Sequence, residues 1–162
     1  MSGACQAISR HNVPVSSEQC LSFLVRHAWL SMRTVVAGAL GEHGLSVAQY
    51  GTLLIVEEQP GVTVAEIARK VGSARQSANE LLTGLERAGL VERRSHPRDR
   101  RAQQVFLTDA GRERLAAATP DVQQAEAHLE AEFSAGDRAA VRAWLGRMAQ
   151  AAGPSAEEFS TQ

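Results

Sequence analysis

The spacing of apolar residues predicts long helices near both ends of the chain. Leucine, valine, alanine and methionine recur every three or four positions over residues 18–40 and again over residues 110–150, which is the period of an amphipathic helix. Thr108 and Asp109 can cap the helix of the second stretch. Pro120 lies inside that stretch and predicts a kink there, or a new helix start with Thr119 as its cap.

The middle of the chain carries start and stop signals for shorter helices. Ser46 can cap one helix and Thr63 a second, and Glu66, three residues after Thr63, completes a capping box. A glycine ends this short helix, a third helix begins directly after it, and Gly89 ends the third helix.

After these helices the pattern changes to the two-residue period of β-strands. Residues 90–94 and 103–107 read as two strands, and residues 95–102 form a polar, arginine-rich loop between them. Two short helices followed by such a hairpin predict a mainly α fold with a small β-hairpin wing, the winged helix-turn-helix.

The end helices are too long and too apolar to be covered by the short middle segment, so they need a partner surface, and a symmetric one is the default. The sequence therefore predicts a homodimer. Its parts are a flexible arm over 1–17, a helical dimerisation region over 18–45 and 109–152, a DNA-binding lobe over 46–108 and a frayed tail over 153–162.

Composition narrows the class of protein. The chain has 162 residues, of which 44% are hydrophobic and 22% charged, as in ordinary globular proteins. No apolar run approaches the ~20 residues of a membrane span, and the N-terminus has no signal-peptide core. We expect a cytoplasmic protein without a membrane partner. Cys5 and Cys20 do not form a disulfide framework.

The charge distribution indicates a nucleic-acid partner although the net charge is only −1. Residues 63–101 hold nine basic and five acidic side chains, so the rest of the chain carries an excess of five negative charges. A basic segment between acidic ends is the electrostatic footprint of a protein that binds double-stranded DNA.

Side chains suited to DNA follow the second short helix and the wing. The exposed N-terminal half of a recognition helix reads base edges in the major groove, where arginine matches guanine and glutamine or asparagine matches adenine. Wing arginines can reach the minor groove or phosphates, although Arg93 or Arg94 could instead pair with an acidic side chain. The predicted DNA-binding residues are Thr63, Ser73, Arg75, Gln76, Ser77, Asn79, Arg94, Arg98, Asp99, Arg100 and Arg101.

Three motifs, at their order and spacing, point to a known family. They are GLVER from Gly89, PRDRR from Pro97, and Leu107-Thr108 followed by Gly111. Together they resemble the DNA-binding lobe of the multiple antibiotic resistance regulator (MarR) family, and the resemblance covers about residues 20–150. The wing departs from the most sharply charged family members only in lacking lysine.

The resemblance implies a helical homodimer whose first helix and last two helices interleave with those of the partner. Each recognition helix would enter one major groove of a palindromic operator, and Asp99 would hold Arg101 in position for the minor groove. It also implies an effector pocket between the dimer helices and the DNA-binding lobe.

Candidate effector-binding residues lie on the first two helices: His27, Trp29, Leu30, Arg33, Tyr50 and Leu53. An arginine or histidine beside an aromatic ring suits a small aromatic carboxylate or a phenol. The competing interpretation is that Trp29 and Tyr50 belong to the core or to the dimer interface.

The cysteine and histidine residues raise two other sensing chemistries, thiol oxidation and zinc binding. Cys20 opens the first helix, where the helix N-terminus lowers a thiol pKa, and some family members sense peroxide through a first-helix cysteine; here no tyrosine lies nearby on that helix. Glu42, His43, His27 and His128 lack the spacing of the three or four converging ligands that zinc needs. We expect no metal and no cofactor.

The sequence thus predicts a DNA-binding transcriptional regulator, most simply a repressor, that a small molecule releases from its operator. A redox regulator acting through Cys20 is one alternative. A winged helix that binds protein instead of DNA is another. Hydrolase, metalloprotease and P-loop motifs are missing from the sequence, so we expect no enzyme activity.

Overall fold

A computed structural model describes residues 20–99 and 102–151 of the chain. A short 3-10 turn, Gly41–His43, follows the first helix. The elements of the described part are α1 (Leu21–Leu40), α2 (Val47–Glu58), β1 (Val62–Thr63), α3 (Val64–Val71), α4 (Arg75–Arg87), β2 (Val91–Ser95), β3 (Gln103–Leu107), α5 (Asp109–Leu129) and α6 (Ala135–Ala151). The predicted arm over 1–17 and the tail over 153–162 lie outside the described residues.

Helices α2 and α5 begin at the predicted caps. The Ser46 hydroxyl accepts a hydrogen bond from the backbone N–H of Gln49 at 3.2 Å, and the Gln49 side chain accepts one from Ser46 N–H at 2.8 Å. The Thr108 hydroxyl accepts from Gly111 N–H at 3.0 Å and donates to the Gly89 carbonyl at 2.6 Å. Thr108 therefore starts α5 and fastens it to the end of α4.

The wing belongs to a three-stranded antiparallel sheet with the order β1–β3–β2. The predicted hairpin is confirmed, with Val91 opposite Leu107 and Ser95 opposite Gln103. The short strand β1 pairs with β3 and was not predicted, because two residues are too few to show a strand period. It forms where the chain leaves α2 and passes beside β3 before entering α3.

Helix α5 is continuous across Pro120, so the predicted new helix start is wrong. The Thr119 hydroxyl donates to the Leu115 carbonyl at 2.7 Å and does not cap a helix. Proline removes only one backbone donor, and the buried side chains of Leu115, Ala118 and Val122 hold the helix against the core on both sides of it.

The hydrophobic core lies between the helices and the sheet. Its largest fully buried side chains come from α1 to α4 and β3: Leu40, Leu53, Ile67, Leu82, Leu85, Val56 and Val105. Helix α5 joins the core along one face. One shared core therefore joins α1 and α5 to the shorter helices and the sheet, and it can hold α4 and the wing in place.

Much of α1 and α6 stays uncovered in the single chain. None of the described side chains of α6 is buried. The exposed large apolar residues of this region are Leu21, Phe23, Leu24, Val25, Trp29, Leu30, Met32, Leu129, Phe133, Val141, Leu145 and Met148. Within the described part of the chain, no helix is long and apolar enough to span a bilayer.

Candidate nucleic-acid interface

Helix α4 has one buried face and one exposed, polar face. Ala78, Leu82 and Leu85 are buried beneath it, because they recur at helical spacing on the face toward the core. Arg75, Gln76, Ser77 and Asn79 are exposed in its first five residues, and Ser73 is exposed just before it. The described structure thus places five predicted DNA-binding residues at the start of one exposed helix.

A groove of about 790 Å³ separates the start of α4 from the wing. Among the residues that line it are Thr63, Arg75, Gln76, Asn79 and Asp99. The lobe therefore gathers five of the predicted DNA-binding side chains from three elements, although they are up to 36 positions apart in the sequence.

The turn into the helix-turn-helix is set by Thr63 and Glu66. The Thr63 hydroxyl donates to the Glu66 carboxylate at 2.6 Å, and the Thr63 backbone N–H donates to the same oxygen at 2.8 Å. These two hydrogen bonds, the hydroxyl first, lower the pKa of Glu66 below its ordinary value. The Thr63 hydroxyl therefore uses its hydrogen to bind Glu66.

His96 organises the tip of the wing. Its Nδ1 accepts hydrogen bonds from the backbone N–H groups of Arg98 at 3.2 Å and of Asp99 at 3.1 Å. The loop closes with a hydrogen bond from His96 N–H to the Ala102 carbonyl at 3.1 Å. Arg98 is exposed at this tip. The predicted contacts Arg100 and Arg101, and hence the implied contact between Asp99 and Arg101, lie outside the described residues.

Arg93 joins the wing to α4. Its Nη1 donates to Asn79 Oδ1 at 2.7 Å, and its Nη2 donates to Thr83 Oγ1 at 2.8 Å and to the Asn79 carbonyl at 3.2 Å. Its Nε lies 3.3 Å from Glu86 Oε2, an ion-pair distance, but the N–H is not aligned for a hydrogen bond. Only 10% of the Arg93 side chain is exposed.

Arg94 lies on the other side of the sheet, because successive strand residues face opposite ways. It forms an ion pair with Glu92, and its guanidinium stacks 4.5 Å from the centre of the Phe106 ring. The structure does not bring Arg94 to the groove beside α4. The sequence left open that one of the two arginines pairs with an acidic side chain, and in the structure both do. Strand alternation is the sequence signal that separates their roles.

The predicted effector residues divide into two sets. Trp29, Arg33 and Tyr50 line a cavity of about 700 Å³ between α1, α2 and α5, together with Glu126 and apolar neighbours. The Tyr50 hydroxyl donates to Thr119 Oγ1 at 3.4 Å across this region. An aromatic ring, a cation and a carboxylate therefore share one cavity.

The other predicted effector residues do not line this cavity. Leu53 is fully buried in the hydrophobic core. His27 is exposed, with its ring 4.2 Å from that of Phe23, and Leu30 is exposed on α1. Helical spacing alone could not separate them from Trp29 and Arg33, because the cavity exists only where α2 and α5 pack beside α1.

Cys20 stands at the start of α1 as a free thiol. Its Sγ lies 3.2 Å from Ser22 Oγ. The Ser22 hydroxyl and then the backbone N–H of Phe23 lower the pKa of this thiol. Cys5 lies outside the described residues. Among the residues that are described, no three His, Cys, Asp or Glu side chains converge as metal ligands would.

The chain is similar in sequence to known transcriptional regulators. The model of the MarR family matches residues 43–102. The HTH-type transcriptional repressor Rv2887 of Mycobacterium tuberculosis (strain ATCC 25618 / H37Rv) is 30% identical over 115 residues, which are 71% of this chain and 83% of that protein.

Two solved structures extend the likeness to the fold. The transcriptional repressor CouR, bound to a 23-mer DNA duplex, is 29% identical with a TM-score of 0.77, over 85% of this chain and 98% of that one. CouR from Rhodococcus jostii RHA1, bound to p-coumaroyl-CoA, shares the fold with a TM-score of 0.77 at 24% identity, over 86% of this chain and 96% of that one. The predicted winged-helix fold and family are confirmed: the chain belongs to the MarR family of DNA-binding transcriptional regulators.

Proposed function

We propose that the protein is a homodimeric repressor that binds a palindromic operator and leaves it when a small aromatic acid or phenol binds. The observation that carries this proposal is the exposed row of Arg75, Gln76, Ser77 and Asn79 on α4, beside the groove that leads to the wing. The opposite face of α4 is buried and packs against the core.

The proposed DNA contact follows from the shape of the lobe. An α-helix fits the major groove of B-DNA, which is about 12 Å wide. With the start of α4 in that groove, the wing tip at Arg98 extends sideways toward the phosphates or the adjacent minor groove. Arg75 can then donate two hydrogen bonds to a guanine edge, and Gln76 can pair with adenine once it leaves Glu80, its partner at 3.1 Å in the free protein.

The dimer is supported by the apolar surface of α1 and α6. Single soluble chains rarely leave a contiguous apolar surface of many large side chains in water, and a two-fold copy of the same surface is the simplest cover for it. Two-fold symmetry would place the two recognition helices roughly 34 Å apart, one turn of DNA. A palindromic operator follows from that symmetry.

The effector proposal rests on the cavity between α1, α2 and α5. Its volume of about 700 Å³ falls in the range of small-molecule sites. Trp29 and Tyr50 offer aromatic faces, and Arg33 offers a cation for a carboxylate. The cavity lies where the proposed dimer helices meet the lobe. A ligand that binds more tightly when the lobe is turned out of its DNA-binding orientation would therefore shift the protein away from its DNA-binding state.

The DNA proposal is tested with a duplex that the wild-type protein selects from a random pool. Arg75→Ala is expected to weaken its binding by about 1–3 kcal/mol and to relax the preference at one base pair of each half-site. Arg87→Ala, at the other end of α4, is the matched control and should bind like wild type. Measurements at about 50 mM and 200 mM salt should show the steep loss of affinity that phosphate contacts cause.

Two results would contradict the DNA proposal. The wild-type protein could enrich no duplex at low salt, which would leave the winged helix as a protein-binding module. Arg75→Ala could also keep the full affinity and preference of the wild type, which would remove α4 as the reading helix.

The effector proposal is tested by thermal unfolding with a panel of benzoic acids, cinnamic acids and phenols. A binder at about a hundred times its Kd should stabilise the folded protein by about 2.7 kcal/mol. Arg33→Met should lose the gain for the acids, whereas Arg26→Met, on the same helix but outside the cavity lining, should keep it. No gain with any panel member would count against an aromatic effector.

A thiol switch is the second candidate, because the Ser22 hydroxyl lowers the pKa of Cys20 and a thiolate is the form that peroxide oxidises. In that case peroxide should weaken operator binding by the wild-type protein but not by Cys20→Ser. Equal effects on both proteins would exclude Cys20 as the sensor.

A further inference from the structure

Asn79 has a defined orientation because its neighbour can only donate hydrogen bonds. The guanidinium of Arg93 carries five N–H donors and no acceptor, so the amide of Asn79 must turn its Oδ1 toward Arg93, as the 2.7 Å contact shows. The Nδ2 amino group, with its two donors, then lies on the opposite side of the amide. Asn79 is exposed and lines the groove between α4 and the wing.

The same guanidinium also fixes the helix that carries Asn79. It holds the Asn79 carbonyl, the Thr83 hydroxyl and the Glu86 carboxylate, which lie on one side of α4 across two turns. On the wing it reaches Gln103 Oε1 at 3.4 Å. Only 10% of the Arg93 side chain is exposed, although its partners Asn79 and Glu86 are themselves exposed.

We infer that Arg93 is a positioning residue for DNA recognition: it holds α4 against the wing and presents Asn79 to the duplex as a hydrogen-bond donor. This inference rests on the proposed role of α4 as the recognition helix. A donor presented in this way pairs with an acceptor on a base edge, such as N7 or O6 of guanine.

The positioning role depends on the several N–H donors of the planar guanidinium and not on its positive charge alone. A lysine at position 93 would keep the positive charge but offer a single nitrogen, which cannot reach both the Asn79 amide and the Thr83 hydroxyl in the same geometry. Arg93→Lys is therefore the informative variant. Arg94→Lys is its matched control, because Arg94 has the same charge one position along β2 but lies on the other face of the sheet.

The first measurement compares base preferences by selection from a randomised duplex pool. Asn79→Ala and Arg93→Lys are expected to relax the preference at the same base pair of each half-site, by at least about fivefold. Arg94→Lys should leave that base pair unchanged. If Arg93→Lys keeps the wild-type preferences, or relaxes a different base pair from Asn79→Ala, the inference is wrong. A lower melting temperature with unchanged preferences would show a purely structural role and would also overturn it.

The second measurement needs no DNA and separates this inference from the proposed function. Amide hydrogen exchange over residues 79–87 and 91–95 of the free protein should be about tenfold faster in Arg93→Lys than in the wild type. Arg94→Lys should exchange like wild type. If the wild-type protein selects no duplex, the proposed function fails, and exchange alone decides whether Arg93 holds α4 to the wing. Unchanged exchange in Arg93→Lys overturns the inference in either case.

Discussion

At the scale of single residues, the capping box of Thr63 and Glu66 gives the helix-turn-helix a dependence on pH. The hydrogen bonds from Thr63 lower the pKa of Glu66 in the folded protein. A lowered folded-state pKa stabilises the fold above the ordinary glutamate pKa, about 4.3, and that stabilisation is lost as the pH falls through the folded-state value. The cap therefore contributes fully at neutral pH and not in acid.

We predict that Glu66→Gln lowers the free energy of unfolding by about 0.5–1 kcal/mol at about pH 7. The difference from wild type should shrink below about pH 4, because protonation of Glu66 makes the two proteins alike. Urea unfolding across this range measures it. Glu113→Gln, an exposed glutamate on α5, is the control. A difference that grows in acid would contradict the cap.

Gly111 is required by a close approach between backbones. A methyl group at this position would collide with the Leu90 carbonyl, because the start of α5 packs directly on Leu90, the residue before β2. We predict that Gly111→Ala lowers the free energy of unfolding by about 1–3 kcal/mol. Gly84→Ala, in α4 with open space around it, should instead raise it by about 0.5–1 kcal/mol. Denaturant unfolding of both variants measures this contrast, and equal signs would refute it.

At the scale of elements, α5 tolerates a proline that its sequence alone would not predict inside a continuous helix. The cost of Pro120 remains, because it removes a backbone donor in an exposed part of the helix. We predict that Pro120→Ala raises the free energy of unfolding by about 2 kcal/mol. Alanine has the higher helix propensity, and part of that gain is offset because the unfolded chain becomes more flexible without proline. Urea unfolding measures it. Destabilisation would show that the proline shapes α5 in a way the fold needs.

In the wing, the local sequence predicts the two long strands but not the contacts at the tip or the short strand β1. The strands β2 and β3 matched their predicted bounds closely, because alternation and the polar loop are local signals. His96 gave no such signal. Its role at the wing tip is visible only in the structure, where its ring accepts hydrogen bonds from two backbone N–H groups. The short strand β1 is likewise defined by its partner β3.

At the scale of the whole molecule, the uncovered apolar surface of α1 and α6 leads to the strongest test of assembly. We predict that Phe133→Asp, at a site 57% exposed in the single chain, converts a dimer to a single chain. Operator affinity should fall with it, because each monomer then offers one reading helix instead of two linked ones. Sedimentation and duplex titration measure the two effects.

Glu132→Gln is the matched control for the dimer prediction, since it alters an exposed polar neighbour of Phe133. It should keep the mass and the affinity of the wild type. A wild-type protein that sediments as one chain would contradict the dimer, and a monomeric Phe133→Asp with full operator affinity would contradict the need for two reading helices.

The sequence by itself determined the local elements of this protein and its family. Caps at Ser46, Thr63 and Thr108, the change of period at the wing and the basic charge of the middle segment all depend on residues close together in the chain, so they can be read before folding. Base-reading residue types at the start of α4 belong to the same local information.

Only the tertiary structure decided which of these side chains share a surface. Strand alternation puts Arg93 and Arg94 on opposite faces of the sheet, but only the packing shows that the first holds α4 and the second stacks on Phe106. Trp29, Arg33 and Tyr50 meet in one cavity while Leu53 is buried in the core. The physical reason is that these differences depend on packing between elements far apart in the chain, which residue spacing does not encode.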